Sequence, residues 1–296
     1  MSFLNHSSRR ICSIGGWAAT ALAVSLLVSC MSVDVRFSSF MSPDRGPHKA
    51  VLPQGYTVRD FAIYHEGRFI GMTHARHERS QVIVIFCGGD SFHRSIEGAD
   101  ALEALALGAD VVLFDYPGYG DSTGVLTASD VLDTALAVYD YVGELDGAEG
   151  KKLIVYGFSM GGLVAAHIAG SRYVDGVVLE ATAQNADSWA RSRIPWYMKP
   201  LVSARIEPAL ASVDALTALR HFDGRVLLLG SRADRKAPAA LASRLHRQLL
   251  QAGVRAERVL FDGVTHGGIP QTAGFRPALR AFMVQVLEAP GVGEGL

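Results

Sequence analysis

Neither sign of charge is in excess in this chain. Its 28 Lys and Arg stand against 29 Asp and Glu, for a formal net charge of −1, with no basic cluster. Nucleic-acid backbones are held by gathered cations, so nucleic acid is not an expected partner. Cysteine is scarce too, limited to Cys12, Cys30 and Cys87, and this argues against a disulfide framework. Internal repeats and low-complexity blocks are also lacking. What is there is 296 residues, 49% of them hydrophobic, enough for a single α/β domain that relies on its core.

The N-terminus reads as an address rather than as fold. Arg9 and Arg10 precede an apolar stretch at 11–28 that is short for a membrane span and contains Gly15 and Gly16. This is the n-region and h-region pattern of a secretory signal. Leu27-Val28-Ser29-Cys30 then resembles the cleavage box of bacterial lipoproteins, in which the cysteine is lipidated and becomes the new N-terminus. On that reading residues 1–29 are a signal peptide, and 30–54, with Pro43, Pro47 and Pro53, are a lipidated tether. The expected location is the cell envelope, on a membrane, with acyl chains held at about 0.8 kcal/mol per buried methylene. Ordinary cleavage nearby, giving a periplasmic or secreted protein, and an uncleaved anchor are the alternatives. The residues after Arg9-Arg10 fit twin-arginine export poorly. Cleavage before Cys30 removes Cys12, and a thioether on Cys30 leaves Cys87 with no partner.

From 55 to 290 the chain alternates strand and helix patterns. Two alternating segments flank Glu66-Gly67, as in an antiparallel hairpin at a sheet edge. Continuous apolar runs follow at 82–86, 111–114, 153–155, 177–179, 226–229 and 259–261. Such runs indicate strands covered on both faces, hence a mostly parallel sheet in a three-layer α/β sandwich. Thr127 and Asp130 form a cap signal ahead of a stripe at Val131, Ala135, Val138, Val142 and Leu145. Leu241, Leu245 and Leu249 make another stripe, stopped by Gly253. Residues 182–211 break the rhythm with Trp189, Trp196, Tyr197 and Met198. Two readings stay open for this insertion: a short lid over a cleft, or an ordinary helical segment packed on the sheet.

Gly157-Phe158-Ser159-Met160-Gly161 sits between an apolar strand run and a helix-compatible stretch, the context in which G-x-S-x-G makes a nucleophile elbow. A serine hydroxyl needs a base, an orienting acid and an oxyanion hole. His266, in Thr265-His266-Gly267-Gly268, is the histidine that follows the last core strand. Asp234 follows the run at 226–229 and is the preferred acid, with a helix-cap role as its bland alternative and Asp262 as its rival. His167 falls inside a helix, and His74 and His77 belong to the hairpin. The oxyanion donors are assigned to the N–H groups of Met160 and of Gly89, in Cys87-Gly88-Gly89-Asp90. The spacing Gly118-x-Gly120-x-x-x-Gly124 departs from a dinucleotide loop, which makes an oxidoreductase a poor alternative.

With these motifs in view the chain resembles an α/β-hydrolase from about residue 56 to 289. The resemblance rests on Gly88-Gly89, on the segment from Asp115 to Ser122, on the elbow at Ser159 and on the Asp234/His266 pair. It is most similar to lid-poor members, among them monoacylglycerol and lysophospholipid lipases, acyl-protein thioesterases and bacterial esterases. The resemblance implies a serine hydrolase acting on esters or thioesters of small-molecule or lipid acyl substrates, without cofactor or metal. An acyltransferase or serine peptidase with the same triad, or a hydrolase-like binding protein without catalysis, are the other readings. One departure stands out: the family usually has His-Gly where this chain has Cys87-Gly88. A thiol cannot replace imidazole hydrogen bonds, so the oxyanion loop is expected to be braced differently. The Asp115 segment is read as a turn that buttresses the elbow.

Overall fold

The computed structural model describes residues 32–35, 51–194, 197–198 and 203–289. The expected signal segment and Cys30 lie outside the described residues. The chain opens with β1 (Ser32–Val35), β2 (Tyr56–His65), β3 (Arg68–His77), β4 (Val82–Cys87), α1 (Gly98–Leu105) and β5 (Asp110–Phe114). There follow α2 (Ala128–Gly143), β6 (Lys152–Phe158), α3 (Gly161–Ser171), β7 (Gly176–Glu180), α4 (Ala186–Arg193) and β8 (Ser203–Ile206). The last third holds α5 (Pro208–Ala211), α6 (Ala215–Leu219), β9 (Arg225–Ser231), α7 (Ala239–Gln251), β10 (Arg255–Phe261) and α8 (Phe275–Leu287).

Eight strands make one sheet in the order β10-β9-β7-β6-β4-β5-β3-β2. Only β3 runs against the rest, antiparallel to both β2 and β5. Its hairpin turns at Glu66 and Gly67, both with positive φ (46° and 83°), a turn whose twist suits two strands. The apolar runs alternate between two layers. Val84, Ile154, Val178 and Leu227 meet Leu102, Leu105, Leu279 and Phe282 from α1 and α8. Ile85, Val155, Val177 and Leu228 meet Val138, Ile168, Leu219 and Leu245 from α2, α3, α6 and α7. Each such side chain, fully buried, contributes roughly 1.5–3 kcal/mol. The three-layer sandwich is the one the sequence implied, and Thr127 caps α2 by accepting from the Asp130 N–H at 3.1 Å.

Sheet order decides where a site can form. From β4 the chain first builds towards β5 and then returns to the other side with β6, so β4 and β6 are neighbours at the reversal. A crevice opens at the carboxyl ends of strands at such a point.

Two features of the insertion were not legible. Asn185 and Ser188 form a capping box that starts α4. Beyond it, β8 pairs in parallel with β1, from Ser32↔Ser203 to Val35↔Ile206. Four residues of the expected 30–54 tether thus form a strand. Ser-Val-Asp-Val is too short to show a period, and strand formation here depends on the partner edge. Among the described residues no helix is long and apolar enough to cross a membrane.

Candidate active site

Ser159 takes a positive φ of 55°, a conformation that side chains rarely adopt. The strain is held from both sides. The Ser159 N–H donates to the Glu180 carbonyl on β7 (2.8 Å), and the Ser159 carbonyl accepts from the Gly162 N–H (3.1 Å). A Cβ on Gly157 would lie 2.3 Å from the Gly161 carbonyl oxygen, and one on Gly161 would lie 2.0 Å from that of Cys87. Only glycine allows β6, the start of α3 and the loop after β4 to approach this closely.

The loops after β9 and β10 bring the other two side chains to Ser159. His266 Nε2 lies 2.9 Å from Ser159 Oγ, and His266 Nδ1 lies 2.7 Å from Asp234 Oδ2. Asp234 is buried, and its Oδ1 accepts from the N–H groups of Lys236 (2.7 Å) and Ala237 (2.8 Å). One oxygen of Asp234 thus caps the following backbone and the other faces His266. Burial raises the Asp234 carboxyl, but the His266 hydrogen bond, the Ala237 N–H, the His266 charge and the Lys236 N–H outweigh it and hold the pKa below its ordinary value. An ionised carboxylate only accepts, so Nδ1 carries the proton and Nε2 is left to accept from the serine hydroxyl.

The alternatives are drawn elsewhere. Asp262 is exposed and pairs with Arg232 at 2.8 Å. His167 lines a separate groove with Arg220 and His221. The Gly118–Gly120 loop wraps a carboxylate rather than a phosphate, for a Cβ on Gly120 would lie 2.3 Å from Asp115 Oδ2. Asp115 is fully buried, where it accepts from the N–H groups of Arg94 (2.7 Å) and Asp121 (3.3 Å) and from Arg94 Nε (3.3 Å). The Arg94 guanidinium also reaches Asp60, Thr73 and Asp121. The segment is thus structural, as the sequence implied. Among the described residues no group of three His, Cys, Asp or Glu side chains gathers to hold a metal.

Gly89 sits against the nucleophile, with a Cβ built on it falling 3.5 Å from Ser159 Cβ. Among the described residues neither the Gly89 nor the Met160 N–H has an acceptor. Tyr116 holds this loop, its buried hydroxyl donating to the Gly88 carbonyl at 2.8 Å. That carbonyl belongs to the same peptide as the Gly89 N–H. A trans peptide sets C=O and N–H in opposite directions, so holding one aims the other. Cys87 is fully buried, and burial pushes its thiol up, away from the reactive thiolate.

Two cavities flank the serine and histidine. One is lined by Ser159, His266, Asp90, Trp189, Arg193 and Lys236, so α4 walls the catalytic side. Of the insertion's aromatic residues, Trp189 lines this cavity, Tyr197 is 61% exposed, and Trp196 lies outside the described residues. The second cavity, of about 220 Å³, was not foreseen. Its wall includes Phe86, Phe92, Tyr156, Phe158 and Glu180.

A family model described as the alpha/beta hydrolase fold matches residues 81–245. The uncharacterized protein Rv2307c of Mycobacterium tuberculosis is 25% identical over 259 residues, covering 85% of this chain and 87% of its own length. The uncharacterized protein YfhR of Salmonella typhimurium is 28% identical over 177 residues, covering 54% of this chain and 60% of its own. Among solved structures, the Pyrococcus furiosus esterase Pf2001 has a TM-score of 0.62 at 17% identity, covering 81% of this chain and 99% of that one. Est1E from Butyrivibrio proteoclasticus, bound to ferulic acid, has a TM-score of 0.62 at 18% identity, covering 77% and 100%. At these identities the likeness is one of fold.

Proposed function

This chain belongs to the α/β-hydrolase fold family, and from that membership we propose that it is a serine hydrolase cleaving carboxylic esters or thioesters through an acyl-enzyme on Ser159. The observation that carries the proposal is the continuous relay from Ser159 Oγ through His266 to Asp234, at 2.9 and 2.7 Å. Pf2001, which shares the fold, is named as an esterase, which agrees with this reading.

In the proposed mechanism Ser159 Oγ attacks the carbonyl carbon as its proton passes to His266 Nε2. The Gly89 and Met160 N–H groups receive the oxyanion, and donors of this kind are each worth about 3 kcal/mol. His266, held by Asp234, returns the proton to the departing alcohol or thiol. A water molecule then gives a proton to His266 Nε2 as its oxygen attacks the acyl carbon. His266 passes that proton to Ser159 Oγ as the acyl–Oγ bond breaks, releasing the acid and restoring the serine hydroxyl. The test is turnover of a p-nitrophenyl acyl ester. Ser159→Ala should abolish it, and wild-type rates in that variant would remove Ser159 from the chemistry.

We propose further that Cys30 carries the acyl anchor read from the sequence. Radiolabelled fatty acid should enter the protein in a bacterial host and be lost in Cys30→Ala; equal labelling of both would reject the anchor.

A further inference from the structure

Glu180 ends β7 and is 2% exposed, yet the mechanism above makes no use of its side chain. Oε2 accepts from the Tyr156 hydroxyl at 2.6 Å. Among the described residues Oε1, equally buried, has no hydrogen-bond partner. A buried carboxyl oxygen without a donor costs free energy that a packed hydrocarbon would not, so its retention calls for a reason.

That reason is suggested by what Glu180 faces. It lines the 220 Å³ cavity, whose remaining wall is largely aromatic and aliphatic, with Phe86, Phe92, Leu105, Phe158 and Phe275. The cavity lies directly behind the catalytic residues, because the two linings are consecutive in sequence at three places. Gly89, Phe158 and Gly267 belong to this cavity, while Asp90, Ser159 and His266 belong to the catalytic one. Phe158 lines this cavity with its ring centroid 5.0 Å from that of His266. At the ~30 Å³ that a water molecule occupies in the liquid, the cavity holds roughly seven molecules' worth of ligand. A chain of about six heavy atoms fits that space.

Resting on the hydrolase reading, we propose that this cavity is the acyl subsite and that Glu180 Oε1 reads a hydrogen-bond donor at the far end of the acyl chain. The substrates would be esters or thioesters whose acyl group has an apolar middle and a terminal hydroxyl or ammonium. Ser91, Glu97, Asp100 and Gln271 also line the cavity. The apolar wall takes the methylenes, and the donor satisfies the unpartnered Glu180 oxygen. A plain alkyl chain would leave that oxygen unpaired and seal it off. Sites built to bond a polar group discriminate strongly against the analogue lacking it.

The test compares kcat/KM for the ethyl esters of hexanoic, 6-hydroxyhexanoic and 6-aminohexanoic acid, followed by acid release, with p-nitrophenyl acetate as a substrate too short to need the cavity. The pH is held above the value of about 7 to which burial raises the Glu180 pKa, so that Oε1 is an acceptor. Wild type should favour at least one donor-bearing ester over hexanoate by about tenfold or more, and which one tells hydroxyl from ammonium. In Glu180→Leu that preference should vanish or reverse; the ratio between esters is the readout, so a general loss of rate does not obscure it. Glu180→Gln keeps an acceptor for Tyr156 and should lower the same ratio if the leucine variant fails to fold. Acetate turned over while the three longer esters run at equal rates would overturn the subsite and leave the hydrolase reading intact. No turnover of any ester, together with no labelling by a fluorophosphonate, would overturn both.

Discussion

Replacing Asp234 by Asn changes one atom and, by the geometry around it, reverses the direction of the whole relay. Oδ1 accepts two backbone N–H groups, from Lys236 at 2.7 Å and Ala237 at 2.8 Å. If the amide turned its NH2 towards them, two buried donors would face a donor, at a cost of about 1–3 kcal/mol each. The amide oxygen therefore stays with the backbone and the NH2 faces His266 Nδ1, now 2.7 Å from the carboxylate. Nδ1 must then accept, which moves the ring proton to Nε2. That nitrogen, 2.9 Å from Ser159 Oγ, becomes a donor and can no longer take the serine proton. The expected loss in kcat is about 10⁴-fold, the order known for this change in a Ser-His-Asp protease triad, or roughly 5 kcal/mol of barrier. The assay is steady-state hydrolysis of a p-nitrophenyl ester, alongside circular dichroism to show that the fold persists. A folded Asp234→Asn variant within tenfold of wild type would refute the reasoning.

Other changes have equally definite outcomes. Tyr116→Phe deletes the bond to the Gly88 carbonyl and should lower kcat several-fold with little change in KM, since the peptide that aims the Gly89 N–H loses its anchor. A fall in KM affinity alone would argue for a merely structural role. Gly161→Ala forces a methyl to within 2.0 Å of the Cys87 carbonyl oxygen and should abolish activity or folding; a soluble, active variant would contradict the elbow geometry. Burial of Glu180 outweighs the Tyr156 hydrogen bond and raises its pKa from the ordinary 4.5 to about 7. The neutral form is favoured in the fold, so its stability is fully present below pH 4.5 and is lost as pH rises through about 7. Glu180→Gln should remove that decline, worth about 3 kcal/mol, in denaturant titrations at pH 5 and pH 8; an unchanged pH profile would count against the buried acid.

The residues that meet at Ser159 could be picked out of the sequence because their constraints are local. Gly157 and Gly161 must be glycine for reasons of space, and Asp234 and His266 each follow an apolar strand run closely enough to be found by order alone. The strands were legible for the same reason, since burial on both faces leaves a continuous apolar run. What escaped notice depends on partners distant in the chain. Glu180 reads as an ordinary polar residue closing a strand, and only Tyr156 on the adjacent strand reveals that it is buried. The brace on the oxyanion loop comes from Tyr116, 28 residues after the Gly88 it holds. Phe158 shows as the variable position of the motif, though its ring lines the second cavity and lies 5.0 Å from that of His266. The pairing of β1 with β8 joins segments that show no period of their own.

The most direct test of the central claim is the covalent adduct itself. Intact-protein and peptide mass spectrometry after treatment with a fluorophosphonate should find one equivalent bound on Ser159 in the wild type, and almost none after equal exposure of His266→Ala. An adduct on another residue, or equal labelling of Ser159 without His266, would contradict the account of an imidazole-activated serine.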